Sequence, residues 1–146
     1  MRNDIMEITF ELLSPTAIMP SKANDHAAGI DFFSDEDVVI PAGGSATINT
    51  NVAWMPSSPF CYLQMQGRSG LTFKHGLELC NAGVIDSDYR GPIKVLLHNT
   101  SGKEYRVLKG DKIAQGVVLS LPMISIMEGK VDSTERGSNG FGSTGR

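Results

Sequence analysis

Short runs of alternating apolar and polar residues, broken at close intervals by turn residues, set the strongest limit on what this chain can fold into. In ATINTNVAWMP, Ile48, Thr50, Val52 and Trp54 fall on one face of an extended backbone, and Thr47, Asn49, Asn51 and Ala53 on the other. EITFELL alternates Ile8, Phe10 and Leu12 in the same way. DVVI, FCYLQMQ, LELCNAGVI, PIKVLLHN, YRVLKG and GVVLSLPMISI are further candidate strands. The turn signals SP, PAGG, PSSP, HG, DSDYRG, NTSGK and KGD separate them. Many short strands with such punctuation predict an all-β domain, a sandwich or a jelly-roll-like barrel. One stretch, GRSGLTFKHG, reads as helix, with Ser69 placed to cap a short turn that ends near His75 and Gly76. From Gly129 the composition changes, and only Val131 and Phe141 could anchor to a core. Residues 1–128 are therefore expected to form the barrel and residues 129–146 a flexible arm.

A chain of 146 residues is long enough to bury one core without metal or disulfide support. Its net charge of −3 argues against broad nucleic-acid binding, which needs an extended basic surface, but a small anionic ligand needs only a few local arginines. Cys61 and Cys80 have no CxxC spacing and sit in apolar runs, which favours free thiols in a reducing compartment. No apolar run approaches the ~18 residues of a membrane span. MRNDIMEITFELL is too acidic for a signal or transit peptide. Together these predict a soluble, intracellular protein with no membrane partner.

Five stretches carry residues suited to chemistry on a phosphorylated ligand. HAAGIDFFSDED sets Asp31 between Ile30 and Phe32, a carboxylate in a confined place or simply a strand-end acid. GRSG, residues 67–70, combines amides at a helix start with the planar donors of Arg68 and the hydroxyl of Ser69. An ordinary turn would use the same residues. CNAGVIDSDYRG reads as a hairpin with a polar tip, where Asp86 follows Val84 and Ile85 and partial burial could hold it as a general base for water. Tyr89 is a flat wall for a sugar or base. In GDKIAQG, Gln115 stands three residues after Lys112, and its amide can orient a water or a phosphate oxygen without adding charge, although taken alone an exposed or strand-facing glutamine explains it better. Last, RGSNGFGSTGR is glycine-rich with Arg136 at its head. It lacks the lysine of a Walker loop and suits a flap that orders on closing.

In this order and spacing the five stretches resemble the five motifs of the trimeric dUTPase family. AGID at residues 28–31, Arg68-Ser69-Gly70, GVIDSDYRG at residues 83–91, Ala114-Gln115 and the arm from Arg136 each match one motif, and the third and fifth are the specific ones. Two departures are Gly67, where many members have proline, and Phe32, where leucine is usual. Neither removes a functional group. The resemblance implies a jelly-roll-like, distorted β-barrel subunit (a β-clip) with one short helix, in a homotrimer. Each active site would draw the first, second and fourth motifs from one chain, the third from a neighbour and the fifth from the remaining chain.

The resemblance also implies an activity, hydrolysis of dUTP to dUMP and pyrophosphate, which limits uracil incorporation into DNA and supplies dUMP for dTMP synthesis. Asp86 would activate the water that attacks the α-phosphorus, with Gln115 and Arg136 as further catalytic residues. Arg68, Ser69 and the Gly70 amide would hold the phosphates. A Mg2+ ion would be bound by phosphate oxygens, with Asp31 reaching it through water. His26, His75 and His98 lie far apart in the sequence, and no zinc site is expected. Uracil would be read by main-chain groups of the hairpin, with Asn81, Gly83, Val84, Ile85 and Lys94 among the binding residues and Tyr89 under the deoxyribose. Phe141 would stack on the base while Gly142 and Ser143 close over the phosphates. The nearest rival is a dCTP deaminase of related fold, but residues 83–91 contain no glutamate to serve deamination. A non-catalytic nucleotide-binding module is the alternative from another class.

Overall fold

Eleven strands and one helix make up the described residues, 5–80 and 82–142, of a computed structural model. They are β1 (Ile8–Leu12), β2 (Ile30–Phe33), β3 (Val38–Ile40), β4 (Ser45–Asn49), β5 (Val52–Pro56), β6 (Cys61–Gln66), α1 (Ser69–His75), β7 (Leu77–Leu79), β8 (Val84–Asp86), β9 (Lys94–Asn99), β10 (Tyr105–Val107) and β11 (Lys112–Ser120). All pairings are antiparallel and form four small sheets: β1-β5, β3-β10, β2-β11-β6-β8 and β4-β9-β7. They surround one core in which Phe32, Ile48, Trp54, Leu63, Leu97 and Ile113 are the large buried side chains at its centre. This is the all-β domain that the alternation predicts, and its four distorted sheets fit the jelly-roll-like subunit that the resemblance implies. No helix among the described residues is long and apolar enough to cross a membrane.

The inward face of ATINTNVAWMP holds: Ile48, Thr50, Val52 and Trp54 are each at most 1% exposed. The run is nevertheless two strands, because Asn51 takes a left-handed backbone (φ 51°) and turns the chain between β4 and β5. The buried Thr50 hydroxyl is satisfied by the Ile93 carbonyl at 2.6 Å. Ala53, expected outside, is also buried, with Arg90 of the following hairpin beside it. LELCNAGVI likewise divides into β7 and β8, and β11 runs from Lys112 to Ser120 instead of continuing through LPMISI. Ser69 does not cap α1. Arg68 holds the extended cap conformation (φ −105°, ψ 133°), Ser69 is the first helical residue, and no side chain caps the helix. Gly76 ends it in the left-handed region (φ 69°), as its position suggests. Cys61 and Cys80 are both free thiols; Cys61 is buried, which pushes its thiol up from the usual range, while Cys80 is half-buried.

A polar cluster ties the segment after β1 to the barrel. The Asp35 carboxylate, 7% exposed, accepts hydrogen bonds from Ser14 Oγ (2.5 Å), Asn51 Nδ2 (2.6 Å) and Thr16 Oγ1 (2.7 Å). The Ser14 bond, then that of Asn51, hold the Asp35 carboxyl below the ordinary carboxylate range, and Thr16 and Lys109 add to them against the opposing effect of burial. A depressed folded-state value means that the stabilisation is complete above the unfolded-chain value and disappears as pH falls through the folded one. Asp35→Asn should cost about 2 kcal/mol near neutral pH. The gap in melting temperature between wild type and variant should narrow as pH drops below about 4. Thermal melts of both proteins at pH 7 and pH 3 check this, and a gap of constant size would refute it.

Candidate active site

Strand β11 lies between β2 and β6, and its side chains decide what meets at their shared end. Strict alternation would put Lys112 and Gln115 on opposite faces, since they are three residues apart. The register with β2 shifts between Lys112 and Ala114: Lys112 pairs with Phe33, Ala114 with Phe32 and Gln115 with Asp31. This bulge resets the alternation. Ile113 and Ala114 are both buried, and Lys112 and Gln115 both face Asp31. Lys112 Nζ stands 3.5 Å from one oxygen of the Asp31 carboxylate and Arg68 Nε 3.8 Å from the other.

Gln115 is held on both sides. Its Nε2 donates to the Gly67 carbonyl at 2.9 Å, and Gln115 pairs in register with Gln66 across β6. A side chain on Gly29 would place its Cβ 2.2 Å from Gln115 Oε1, so the glycine of AGID makes room for the amide. Arg68 and Ser69 follow at the start of α1. Here the amides of the first turn have no intrahelical acceptor and no capping side chain competes for them. Gly70 faces open space, with nothing within 4 Å of an added Cβ. Two adjoining grooves, of about 360 and 480 Å3, share Arg68, Ser69 and Gln115; the smaller adds Asp31, Gly70 and Lys112. The first, second and fourth motifs thus converge in one chain.

The hairpin does not join them. Gly83 reaches the edge of the larger groove, held by its carbonyl's bond from Met65 N (2.7 Å); a Cβ there would meet Met65 O at 2.7 Å. Along β8, Val84, Ile85 and Asp86 pair with Gln64, Leu63 and Tyr62. Asp86 is therefore four residues along β6 from Gln66, about 13 Å at the usual rise of a strand. Ile85 packs inward on the core, so alternation turns Val84 and Asp86 outward. The partial burial expected for Asp86 is absent in the single chain: its side chain is exposed. Tyr89 is half-exposed with its hydroxyl donating to the Pro92 carbonyl (2.9 Å), its ring lying against Gly91, where a Cβ would fall 2.4 Å from the hydroxyl oxygen. A small pocket of about 150 Å3 at the hairpin's base is lined by Thr47, Leu79, Cys80, Gly83 and Lys94, among others. Asn81 and Ser143 lie outside the described residues.

After Ser120 the described chain forms no further strand or helix. Arg136 bonds within its own turn, Nε to the Asn139 carbonyl at 2.7 Å. Phe141 is fully exposed with φ 51°, and Gly142 has φ 88°. Arg136, Phe141 and Gly142 thus stand apart from both grooves. Sequence reasoning missed Gly29 as the seat of Gln115 and Lys112 as a partner of Asp31. The first was visible as the glycine of AGID, whereas the second depends on a bulge that leaves no mark in the sequence. Among the described residues no three His, Cys, Asp or Glu side chains gather to hold a metal ion.

The dUTPase family model matches residues 16–145. Over 144 residues the chain is 42% identical to the deoxyuridine 5'-triphosphate nucleotidohydrolase of Nautilia profundicola, an alignment covering 97% of this chain and all of that protein. Among solved structures, the Staphylococcus bacteriophage 80alpha dUTPase with dUpNHpp matches with a TM-score of 0.82 at 28% identity, over 96% of this chain and 99% of the other. A variant of the dUTPase from phage phi11 of S. aureus, which coordinates a structural Mg(II) ion, gives 0.78 at 25% identity, over 88% and 99%. The motif residues that converge on the two grooves fall inside the matched span, and this chain belongs to the dUTPase family.

Proposed function

We infer that the chain is a dUTP diphosphatase, hydrolysing dUTP to dUMP and pyrophosphate. The observation that carries this reading is the convergence of Asp31, Arg68, Ser69 and Gln115, from three distant segments, on one cationic groove beside uncapped amides. Arg68 and Ser69, with the Gly70 amide, hold the phosphate chain. Asp86 takes a proton from water as its oxygen attacks the α-phosphorus. The bond from that phosphorus to the bridging oxygen breaks, and pyrophosphate leaves. Gln115, clamped at Gly67, orients the water or a phosphate oxygen.

Among the described residues Asp31 is the only acid lining the smaller groove, and two cations already flank it. A single carboxylate in that setting fits a Mg2+ ion held mainly by its ligand and by water, which Asp31 would help to hold. The ion's chemistry there is to reduce the negative charge that the attacking oxygen meets. Uracil is read by main-chain groups of the hairpin around Gly83, Val84 and Ile85, with Asn81 and Lys94 among the binding residues. Cytosine would leave buried groups unpaired, a costly mismatch. Tyr89 closes the space a ribose 2′-hydroxyl would need.

The separation of Asp86 from Arg68 within one chain supports a shared site, with the hairpin supplied by a neighbour in a homotrimer. Met123, Ile124, Ile126, Met127 and Val131, between 75% and 94% exposed, give the segment before Arg136 an apolar surface that a second and third copy would cover. Residues 129–146 then act as the arm, in which Arg136 meets the phosphates, Phe141 stacks on uracil, and Gly142 and Ser143 exclude water.

Asp86→Asn should lower kcat by about 100-fold or more. Binding of the non-hydrolysable analogue dUpNHpp should change little. Turnover at the wild-type rate would reject Asp86 as the base. Removing residues 136–146 should cut turnover by about 100-fold while the melting temperature stays within a few degrees, because residues 136–142 take no part in the core. A fully active truncated protein would reject the arm. Pyrophosphate release from dUTP, dCTP, dTTP and UTP, compared side by side with ammonia release from dCTP, separates this activity from a deaminase.

A further inference from the structure

We propose that Trp54 is a positioning residue for Asp86, acting from the core through the hairpin's main chain; this rests on Asp86 being the base, as inferred above. Trp54 lies on β5, 1% exposed, in the hydrophobic core. Its indole N–H is the only polar group of that side chain, and it donates to the main-chain carbonyl of Asp86 at 3.1 Å. The same carbonyl accepts the Tyr89 N–H at 3.1 Å, so two donors from different elements fix its direction.

The tie is returned by the hairpin. Arg90 Nη1 donates to the Trp54 carbonyl at 3.3 Å and to the carbonyls of Ser87 (2.7 Å) and Tyr89 (3.3 Å). Trp54 thus gives a bond to the turn through its side chain and receives one through its main chain. Asp86 is the last residue of β8, where ladder support from β6 ends, and its carboxylate is exposed. What aims an exposed aspartate is the orientation of its own backbone, since only two side-chain torsions separate the carboxylate from it. Any large apolar side chain could fill the space of Trp54, but among apolar core residues only an indole also brings a donor to this carbonyl. Removing the N–H leaves the carbonyl bonded to Tyr89, so no buried group is orphaned and the change reads on aim more than on folding.

Trp54→Phe keeps an aromatic ring and deletes the donor. Sites are counted by titration with dUpNHpp, and kcat is expressed per titrated site. It should fall roughly two- to tenfold, the kinetic equivalent of one neutral hydrogen bond, with KM within about twofold. Arg90→Met, on the surface, should show the same split even if the core variant does not fold. Arg90→Lys, which keeps one donor, should recover part of the loss. An unchanged kcat per site, or a parallel fall in kcat and affinity, overturns the proposal. Asp86→Asn is measured alongside. If it is inactive while Trp54→Phe and Arg90→Met are normal, only the clasp is wrong; if it turns over normally, the base assignment fails and the proposal fails with it.

Discussion

The bulge at the start of β11 is the constraint on which the grooves around Asp31, Arg68 and Gln115 depend. An unbroken strand would carry either Lys112 or Gln115 on the face of Asp31, never both. By placing Ile113 and Ala114 consecutively in the core, the bulge turns both polar residues outward to the same side. The apolar residues supply the driving force, since burying an isoleucine side chain stabilises by about 2 kcal/mol. The polar arrangement follows from it. Pairing on to β6 then sets Gln115 against Gln66 and Gly67, which fixes where Arg68 leaves the sheet and α1 begins. Three segments distant in sequence are aligned by one irregularity in one strand.

The hairpin half obeys a different rule. Its glycines answer to close approach: Gly83 to the Met65 carbonyl and Gly91 to the Tyr89 ring. Asp86 is placed by alternation against Ile85, which faces the core. Because β8 pairs with Tyr62, Leu63 and Gln64, its Gly83 end lies toward Gly67 and its Asp86 end away from it, so Asp86 and Arg68 stay apart within one chain. A site that used both residues, as proposed, would draw the hairpin from a second copy. The exposed apolar segment from Leu121 to Val131 is consistent with that demand.

Much of this was legible in the sequence where one periodicity governs. The buried faces of β4, β6 and β9 follow period two, so Ile48, Leu63, Met65, Val95 and Leu97 could be placed inside without a structure, as could Val52 and Trp54 of β5, though Ala53 between them is buried as well. The motif residues Asp31, Arg68 and Gln115 could be named, and their convergence matches what the family resemblance implies. The misses have physical causes. Asn51 breaks a strand because asparagine tolerates a left-handed backbone, yet it alternated like its neighbours. Ser69 was expected to cap a helix that begins one residue earlier than the pattern indicated. The exposure of Asp86 was missed because hydrophobic neighbours in sequence are not neighbours in space when a strand's two faces differ. The Trp54 clasp is invisible for the same reason: its partner is thirty-two residues away and is a carbonyl, which every residue carries.

The charges at the groove suggest how such a site can be formed yet ready to bind. Asp31 lies 3.5 and 3.8 Å from its two cations, distances of ion pairs without tight hydrogen bonding. The Lys112 and Arg68 side chains remain 44% and 34% exposed, so each pair is screened by water and contributes at most about 1 kcal/mol. Redirecting them to another anion would therefore cost little. Asp31 meanwhile keeps both cations near the groove and limits their repulsion before the ligand arrives. A tighter, buried pair would hold the arginine better, but it would have to be broken at a cost of several kcal/mol. The loosely held triad suits a protein that is acidic overall and must still draw in an anion. It concentrates positive charge at one place and leaves it free to move.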